Sequence, residues 1–354
     1  MQYERLNRVR ETMEKQGVAQ LILTQEQHIF YLTGSWVHPL DRLDALVVGM
    51  DSCRMLCYNL AVLETAGCET IVYSDTGKTV NVLSSLLADL PTGVDAQMQS
   101  RFLLPLIQKR PGIRWRVADC AEEARMLKDA DEIRCLRYAS ELTDRVFASA
   151  FDRMQEGMTE LEVGSVFSEC FWQEGAGHFP GNPMVAFGEG TANPHHEPGN
   201  RRLKRGDTVF VDTGMRIHDY YSDMTRTVFF GDCTKEQRQV YEAVHRANEA
   251  GIAAVRPGAK LSDVRRAALA ELDRAGYAGA CPHRISHGIG IDCHEAPFDT
   301  DENEVILKPG MCFSVEPGIY LAGRFGIRIE DLVTVTEDGC SLLSHAPKEL
   351  RILS

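Results

Sequence analysis

No two cysteines of this 354-residue chain stand in a C-x-x-C spacing; the closest of the eleven are Cys53 and Cys57. That argues against a zinc site built on paired thiolates. An odd, scattered set of thiols reads as free cysteines in a reducing compartment, not as a disulfide framework. No run of about 18 apolar residues occurs, so no membrane-spanning helix is expected. Residues 1–17 are charged throughout and have no apolar core, so they do not read as a secretory signal, and the expected location is the cytoplasm. Basic residues are in deficit: 38 Lys and Arg against 51 Asp and Glu leave a formal charge of −13. The chain therefore lacks the cationic excess that neutralises phosphates, and neither a nucleic-acid nor a membrane partner is expected. Low-complexity segments and short-period repeats are also absent.

What is present is ordinary globular composition, 44% hydrophobic and 25% charged, at a length that suggests about two domains. In residues 2–17, Tyr3, Leu6, Val9 and Met13 recur at helical spacing. An apolar strand at 19–23, a short helix ending at Gly34, strands at 45–49 and 54–58 and a helix at 79–90 follow, the last broken by Pro91-Thr92-Gly93. This alternation predicts a small α/β domain over 1–125, without a cluster of ligand-type residues. Residues 126–354 predict an α+β domain. A long helix covers about 130–156, and capping boxes at Thr159/Glu162 and Thr234/Gln237 start two more. Ser262 is expected to cap another. A β-hairpin is predicted over 208–230, and strands over 287–292, 311–316 and 326–336.

Acidic and imidazole groups recur in the second half where a plain strand would not want them. Asp212 follows Val209-Phe210-Val211, Glu316 follows Phe313-Ser314-Val315, and Glu330 sits beside Ile327 and Ile329. Asp is depleted in strands, and a buried carboxylate without a partner is costly. Asp212 and Asp223 are symmetric about a point between Ile217 and His218, so a hairpin turning there sets them opposite each other. Glu316 and Glu330 are symmetric about Gly323, which predicts a second face-to-face pair. Like charges so close raise each other's pKa, and divalent cations remove that conflict. Two such hairpins with His287 supply four oxygen-donor side chains and one imidazole, a set that favours a hard metal such as Mn. The same pattern is also compatible with hairpins in another register and exposed acids.

These residues resemble the pita-bread metallopeptidases, which include the prolidases, the Xaa-Pro aminopeptidases and the methionine aminopeptidases. The segments "VDTG", "YYSDMTRT", "HRISHGIGIDCHE", "SVEPGIY" and "GIRIED" carry the resemblance, with "YLTG" and "DEIRCLRYASELTD" matching outside the site. It spans the whole chain and implies a creatinase-like N-terminal domain ahead of a pita-bread catalytic domain. By resemblance, Asp212, Asp223 and Glu330 hold one divalent metal, and Asp223, His287, Glu316 and Glu330 hold the other. Mn is expected, with Co or Zn possible. The resemblance further implies a metal-bridging hydroxide as nucleophile, Glu316 as its general base, and His195 and His294 as catalytic histidines. Arg328 and His283 fall on substrate-binding positions. His196 competes with His195 for its role; His283 is equally readable as a core histidine bonded to backbone, and Arg328 as a balance for buried acids. Thr225 and Arg226 are expected to support the ligands from behind.

Two departures stand out. The stretch "FPGNPMVAFGEGTANPHH" (179–196) is unlike the commoner prolidase loop, and Ser286 replaces a glycine. Trp36 and His38 fall where, in the family, the small domain approaches a partner subunit. The implied function is a dinuclear Xaa-Pro dipeptidase, acting on small peptides with proline second, as a homodimer. A Xaa-Pro aminopeptidase of longer peptides and a metal-dependent hydrolase of a non-peptide amide are the alternatives. Metal-independent or non-catalytic relatives of the fold have lost ligands that this chain keeps.

Overall fold

This computed structural model describes residues 1–75, 78–176, 183–300 and 304–354. Residues 179–182 of the divergent stretch therefore lie outside the described residues. The chain divides into two compact units, Met1–Arg125 and Met126–Ser354.

The first unit is built on a six-stranded mixed sheet. Its order is Glu69–Tyr73, Cys53–Tyr58, Ala45–Gly49, Gln20–Leu23, Thr92–Val94, Trp115–Val117. Helix Tyr3–Gln16 buries Leu6, Val9 and Met13 and ends at Gly17, whose φ of 66° allows the left-handed cap. Thr92 and Gly93, read from sequence with Pro91 as a helix breaker, instead belong to strand Thr92–Val94, which runs parallel to both Gln20–Leu23 and Trp115–Val117. A Cβ on Gly93 would lie 2.7 Å from the Ala118 side chain, so glycine here serves close packing, not a turn.

The second unit layers two helix pairs on two sheets. Helices Ala130–Phe151 and Glu160–Gln173 bury Phe147, Phe151 and Phe167 in mutual edge-to-face contacts of 5.2–5.6 Å. These rings pack with Val185, Val209 and Val211 of a four-stranded sheet, ordered Ile352–Leu353, Met224–Phe230, Thr208–Thr213, Met184–Phe187. Helices Lys235–Ala253 and Leu261–Arg274 cover a second core of Phe313, Val315, Ile327 and Val333. Its sheet runs Glu295–Phe298, His287–Gly288, Cys312–Val315, Asp331–Val335, Cys340–Leu342. Both predicted capping boxes form, at Thr159 and Thr234. Ser262 does not cap its helix. Lys260 is the N-cap, held extended by a bridge to Ile306, and its amide donates to Asp263 Oδ2 at 2.9 Å. Of the strand predicted over 287–292, only His287–Gly288 pairs; the rest is loop.

Candidate metal centre

Asp212 and Asp223 come together, but not in the register read from sequence. Strands Thr208–Thr213 and Met224–Phe230 pair Asp212 with Thr225, and the connecting hairpin turns at His218-Asp219. Asp223 is therefore the diagonal neighbour of Asp212 on the same face, still within side-chain reach. Gly214 is required here, because a Cβ would meet the Ser222 carbonyl oxygen at 1.8 Å. Glu316 and Glu330 keep the predicted register. The ladder pairs Val315 with Asp331 on one side of them and Gly318 with Arg328 on the other, so the two acids face each other across an unpaired gap.

His287 stands between the two pairs. Its Nε2 lies 3.3 Å from Glu316 Oε1 and 3.8 Å from both Asp223 Oδ2 and Glu330 Oε1. The ligand-type atoms of Asp212, Asp223 and Glu330 lie within 4.8 Å of one another, as do those of His287, Glu316 and Glu330. Burial, with His294 as a minor contributor, depresses the His287 pKa to about 3, so the ring is neutral. Its Nδ1 donates to the Gly288 carbonyl at 3.1 Å, which leaves the Nε2 lone pair facing carboxylate oxygens. Burial and then Asp212 push the Asp223 carboxyl up to about 7, and burial pushes Glu316 up to about 8. Glu330 rises well above the usual range through burial and then through Asp223, Glu316 and Asp212; its Oε1 has no hydrogen-bond partner. A lone pair aimed at carboxylates and an orphaned buried oxygen both ask for a cation. Four carboxylates and an imidazole bonded to backbone through its other nitrogen suit divalent metal.

Arg328, 3% exposed, braces the site from behind. Its Nε donates to Thr225 Oγ1 at 3.0 Å, Nη1 to the Pro194 carbonyl and Tyr320 Oη at 3.0 Å each, and Nη2 to Asp212 Oδ2 and to Met184 Sδ, the last at 3.6 Å. All five N–H groups are thus engaged within the protein, while the side chain also lines the cleft. His283 is engaged as well. Its Nδ1 donates to the Arg284 carbonyl at 2.6 Å, and its Nε2 accepts from Tyr320 Oη at 2.8 Å. Burial lowers its pKa to about 4, and this neutral, backbone-bonded ring also lines the cleft. Arg226 is buried on Asp331 at 2.7 Å, behind the ligand strand.

The two adjacent histidines separate. His195 is exposed and lines the cleft over the carboxylates, whereas His196 Nε2 is tied to Glu160 Oε2 at 2.9 Å. His294 also lines the cleft; its ring stacks on His287 at 3.9 Å, and its Nε2 is 3.8 Å from Asp223 Oδ2. Its loop is rooted by Glu295, buried and paired with Lys128 Nζ at 2.7 Å. Tyr320 and Cys293, not singled out from sequence, belong here too. Cys293 Sγ donates to Asp223 Oδ2 at 3.0 Å. Their signal was spacing only: Tyr320 is four residues past Glu316, and Cys293 precedes His294. The cleft encloses about 330 Å³ and adds Met184, Pro194 and Arg284 to these groups. A larger cavity of about 510 Å³, lined by Phe147, Phe151, Tyr241 and Ile352 among others, carries none of the ligand-type cluster.

Carboxylates and a neutral imidazole gathered under a small cleft are the makings of a divalent-metal centre. A model of metallopeptidase family M24 matches residues 134–337, and one of the creatinase/prolidase N-terminal domain matches residues 5–127. The probable dipeptidase PepE of Mycobacterium tuberculosis is 35% identical over 348 residues, covering 95% of this chain and 92% of that one. The solved dipeptidase PepE from Mycobacterium ulcerans is similar at 34% identity and a TM-score of 0.92, with 99% and 97% coverage. A recombinant prolidase from Thermococcus sibiricus gives 30% identity, a TM-score of 0.92, and 100% and 99% coverage. The chain belongs to metallopeptidase family M24, and its architecture is the pita-bread fold with a creatinase-type N-terminal domain. Peptidase activity dependent on divalent metal follows from that membership.

Proposed function

We propose that the protein is a dinuclear Xaa-Pro dipeptidase, using two divalent ions, preferably Mn, held by Asp212, Asp223, His287, Glu316 and Glu330. The observation that carries this is His287 Nε2, a lone pair ringed by carboxylate oxygens at 3.3–3.8 Å. When bound, the metals supply Lewis acidity and generate a nucleophile from water at neutral pH. The protein's own groups do the rest. Glu316 takes the proton of the attacking water at Oε1 and delivers it to the leaving nitrogen. His195 and His294, both in the cleft, offer N–H donors to the oxyanion that forms on the scissile carbonyl. Arg328 and Thr225 hold Asp212 and Glu330 in place. Proline's amide nitrogen carries no N–H and fixes φ, so a substrate with proline second asks for a shaped site that does not rely on that donor.

A cytoplasmic homodimer is part of the same proposal. All eleven cysteines are free, which suits a reducing compartment, and among the described residues no helix is long and apolar enough to cross a membrane. The dimer rests on the family resemblance, and light scattering of the purified protein checks it. The activity test uses Ala-Pro, Gly-Pro and Ala-Pro-Ala with Mn(II), beside a chelated control. Hydrolysis of the two dipeptides is expected. Inactivity on all three with metal bound sinks the Xaa-Pro reading, and efficient cleavage of the tripeptide moves it to an aminopeptidase.

A further inference from the structure

Two of the eleven free cysteines meet in the first unit. Cys53 opens strand Cys53–Tyr58, and Cys68 directly precedes strand Glu69–Tyr73. These strands run parallel, with Arg54 beside Glu69 and Met55 beside Thr70. One residue back, the same register sets Cys53 beside Cys68 on one face of the sheet. Neighbouring strands lie about 4.8 Å apart, within the Cα separation of about 4.4–6.8 Å that a disulfide spans. The two thiols hydrogen-bond to each other. The backbone holds both in place. Cys53 pairs on its other side with Val48, and the Cys68 amide donates to the Thr65 carbonyl at 3.1 Å as the chain turns through Gly67, whose φ is 78°.

The pair is asymmetric. Cys53 is 7% exposed, whereas Cys68 is more open to solvent. Their hydrogen bond, in which Cys53 donates, is the main cause that pulls the Cys68 pKa below the usual thiol value and pushes that of Cys53 up. Arg10, whose guanidinium bonds the Gly49 and Ser52 carbonyls at 3.0 and 3.4 Å, adds positive charge beside Cys53. The sulfur that solvent reaches is the readier thiolate, and the buried sulfur stands behind it. That is the order of an attacking and a resolving thiol.

We propose that Cys53 and Cys68 form a redox-active dithiol that a low-molecular-weight disulfide oxidises to an intramolecular disulfide. The Cys68 thiolate attacks one sulfur of the oxidant; a mixed disulfide forms as the oxidant's own S–S bond breaks, and one thiolate leaves. Cys53 gives its proton to solvent and attacks Cys68 Sγ, which breaks the mixed disulfide and expels the second thiolate. The protein loses two electrons and two protons, and the oxidant becomes two thiols. In a reducing compartment the pair rests as thiols and closes under oxidative load. Closure ties down Glu69–Tyr73, the edge strand of the six-stranded sheet, where Val72 is 50% exposed. The pair belongs to the first unit and is independent of the metal-centre assignment.

The test incubates the full chain with excess glutathione disulfide, blocks remaining thiols with N-ethylmaleimide and maps the peptides by mass spectrometry. A peptide pair joined through Cys53 and Cys68, lighter by two hydrogens and reopened by dithiothreitol, is expected. This measurement on the parent needs no variant to fold. Cys53→Ser should stop at a glutathione adduct on Cys68, and Cys68→Ser should leave Cys53 a thiol. Hydrogen exchange of the amides of residues 69–73 should slow by about 10–100-fold in the joined form, as expected of a cross-link that closes a loop of about 15 residues. Equal exchange in the two forms overturns the tying of the edge strand. Alkylation of both cysteines after the treatment, a glutathione adduct that persists on Cys68 of the parent, or a disulfide between other cysteines in place of this one overturns the proposal.

Discussion

The Thr225 hydroxyl donates to Glu330 Oε2 at 2.9 Å. Thr225 Oγ1 in turn accepts from Arg328 Nε at 3.0 Å, so one small side chain fixes both a proposed ligand and the arginine behind it. Partners of this kind, one bond removed from the metal, set affinity by about 10–100-fold. Thr225→Val keeps shape and loses both bonds, and is expected to weaken Mn(II) binding by a factor in that range. Titration against a competing chelator measures it. Thr225→Ser should bind like the parent, and a Val variant with parental affinity would remove the hydroxyl from the account.

Asp223 joins both halves of the centre: its ligand-type atoms group with Asp212 and Glu330, and separately with His287 and His294. Asp223→Asn removes one charge from a position that the proposed two-metal site needs twice. Metal content per chain is expected to fall below two, and kcat/KM by more than about a hundredfold, beyond what second-tier partners contribute. Elemental analysis of the dialysed variant, run beside peptide turnover, checks both. A variant that keeps two metals and its activity would refute the proposed assignment.

The two carboxylate pairs show how far sequence reaches. The Glu316/Glu330 register is readable because Gly323, with φ of 69°, marks the centre of a short loop between two apolar runs. The Asp212/Asp223 register is not. Its turn places His218 and Asp219 at φ of 48° and 68°, a conformation usually announced by Asn-Gly or Asp-Gly, and His-Asp gives no such mark. The error leaves the site intact because a shift of two residues returns side chains to the same face. Strand Thr92–Val94 was hidden by Pro91 and Gly93, turn residues locally, whose extended conformation is fixed by neighbours distant in sequence. Tyr320 was illegible for a similar reason: its significance lies in what it touches, His283 and Arg328.

The first unit holds a buried group that no local pattern shows. His28 is fully buried, its Nδ1 3.9 Å from Asp95 Oδ2 and its Nε2 3.6 Å from Glu122 Oε1. Burial pushes the Asp95 carboxyl up, but His28 and the amides of Thr24 and Gln25 outweigh it and hold the group below its usual range. A depressed carboxyl contributes stability that is present above its unfolded value of about 3.9 and lost as pH falls through the folded value. Hydrogen-exchange protection of residues 20–33 is therefore expected to decline as pH drops below about 4. Asp95→Asn should lower protection at neutral pH and remove that part of the decline. Parallel curves for the two proteins would show that Asp95 contributes nothing to it.

Lys128 and Glu295 form an ion pair at 2.7 Å with side chains 1% and 7% exposed. Glu295 Oε2 also accepts the Asp292 amide at 3.3 Å, closing the loop that carries Cys293 and His294. Burying both charges costs desolvation that their attraction offsets only while both are present. Lys128→Met strands the carboxylate and is expected to destabilise the catalytic unit by about 3–5 kcal/mol. Lys128→Met combined with Glu295→Met leaves no uncompensated charge and should recover most of that loss, because an apolar pair of similar volume is often neutral against a buried salt bridge. Chemical unfolding of the two variants beside the parent decides it. If the double variant is as unstable as the single one, the pair stabilises by more than mutual neutralisation, and the Glu295 bond to the loop amide is the first contact to credit.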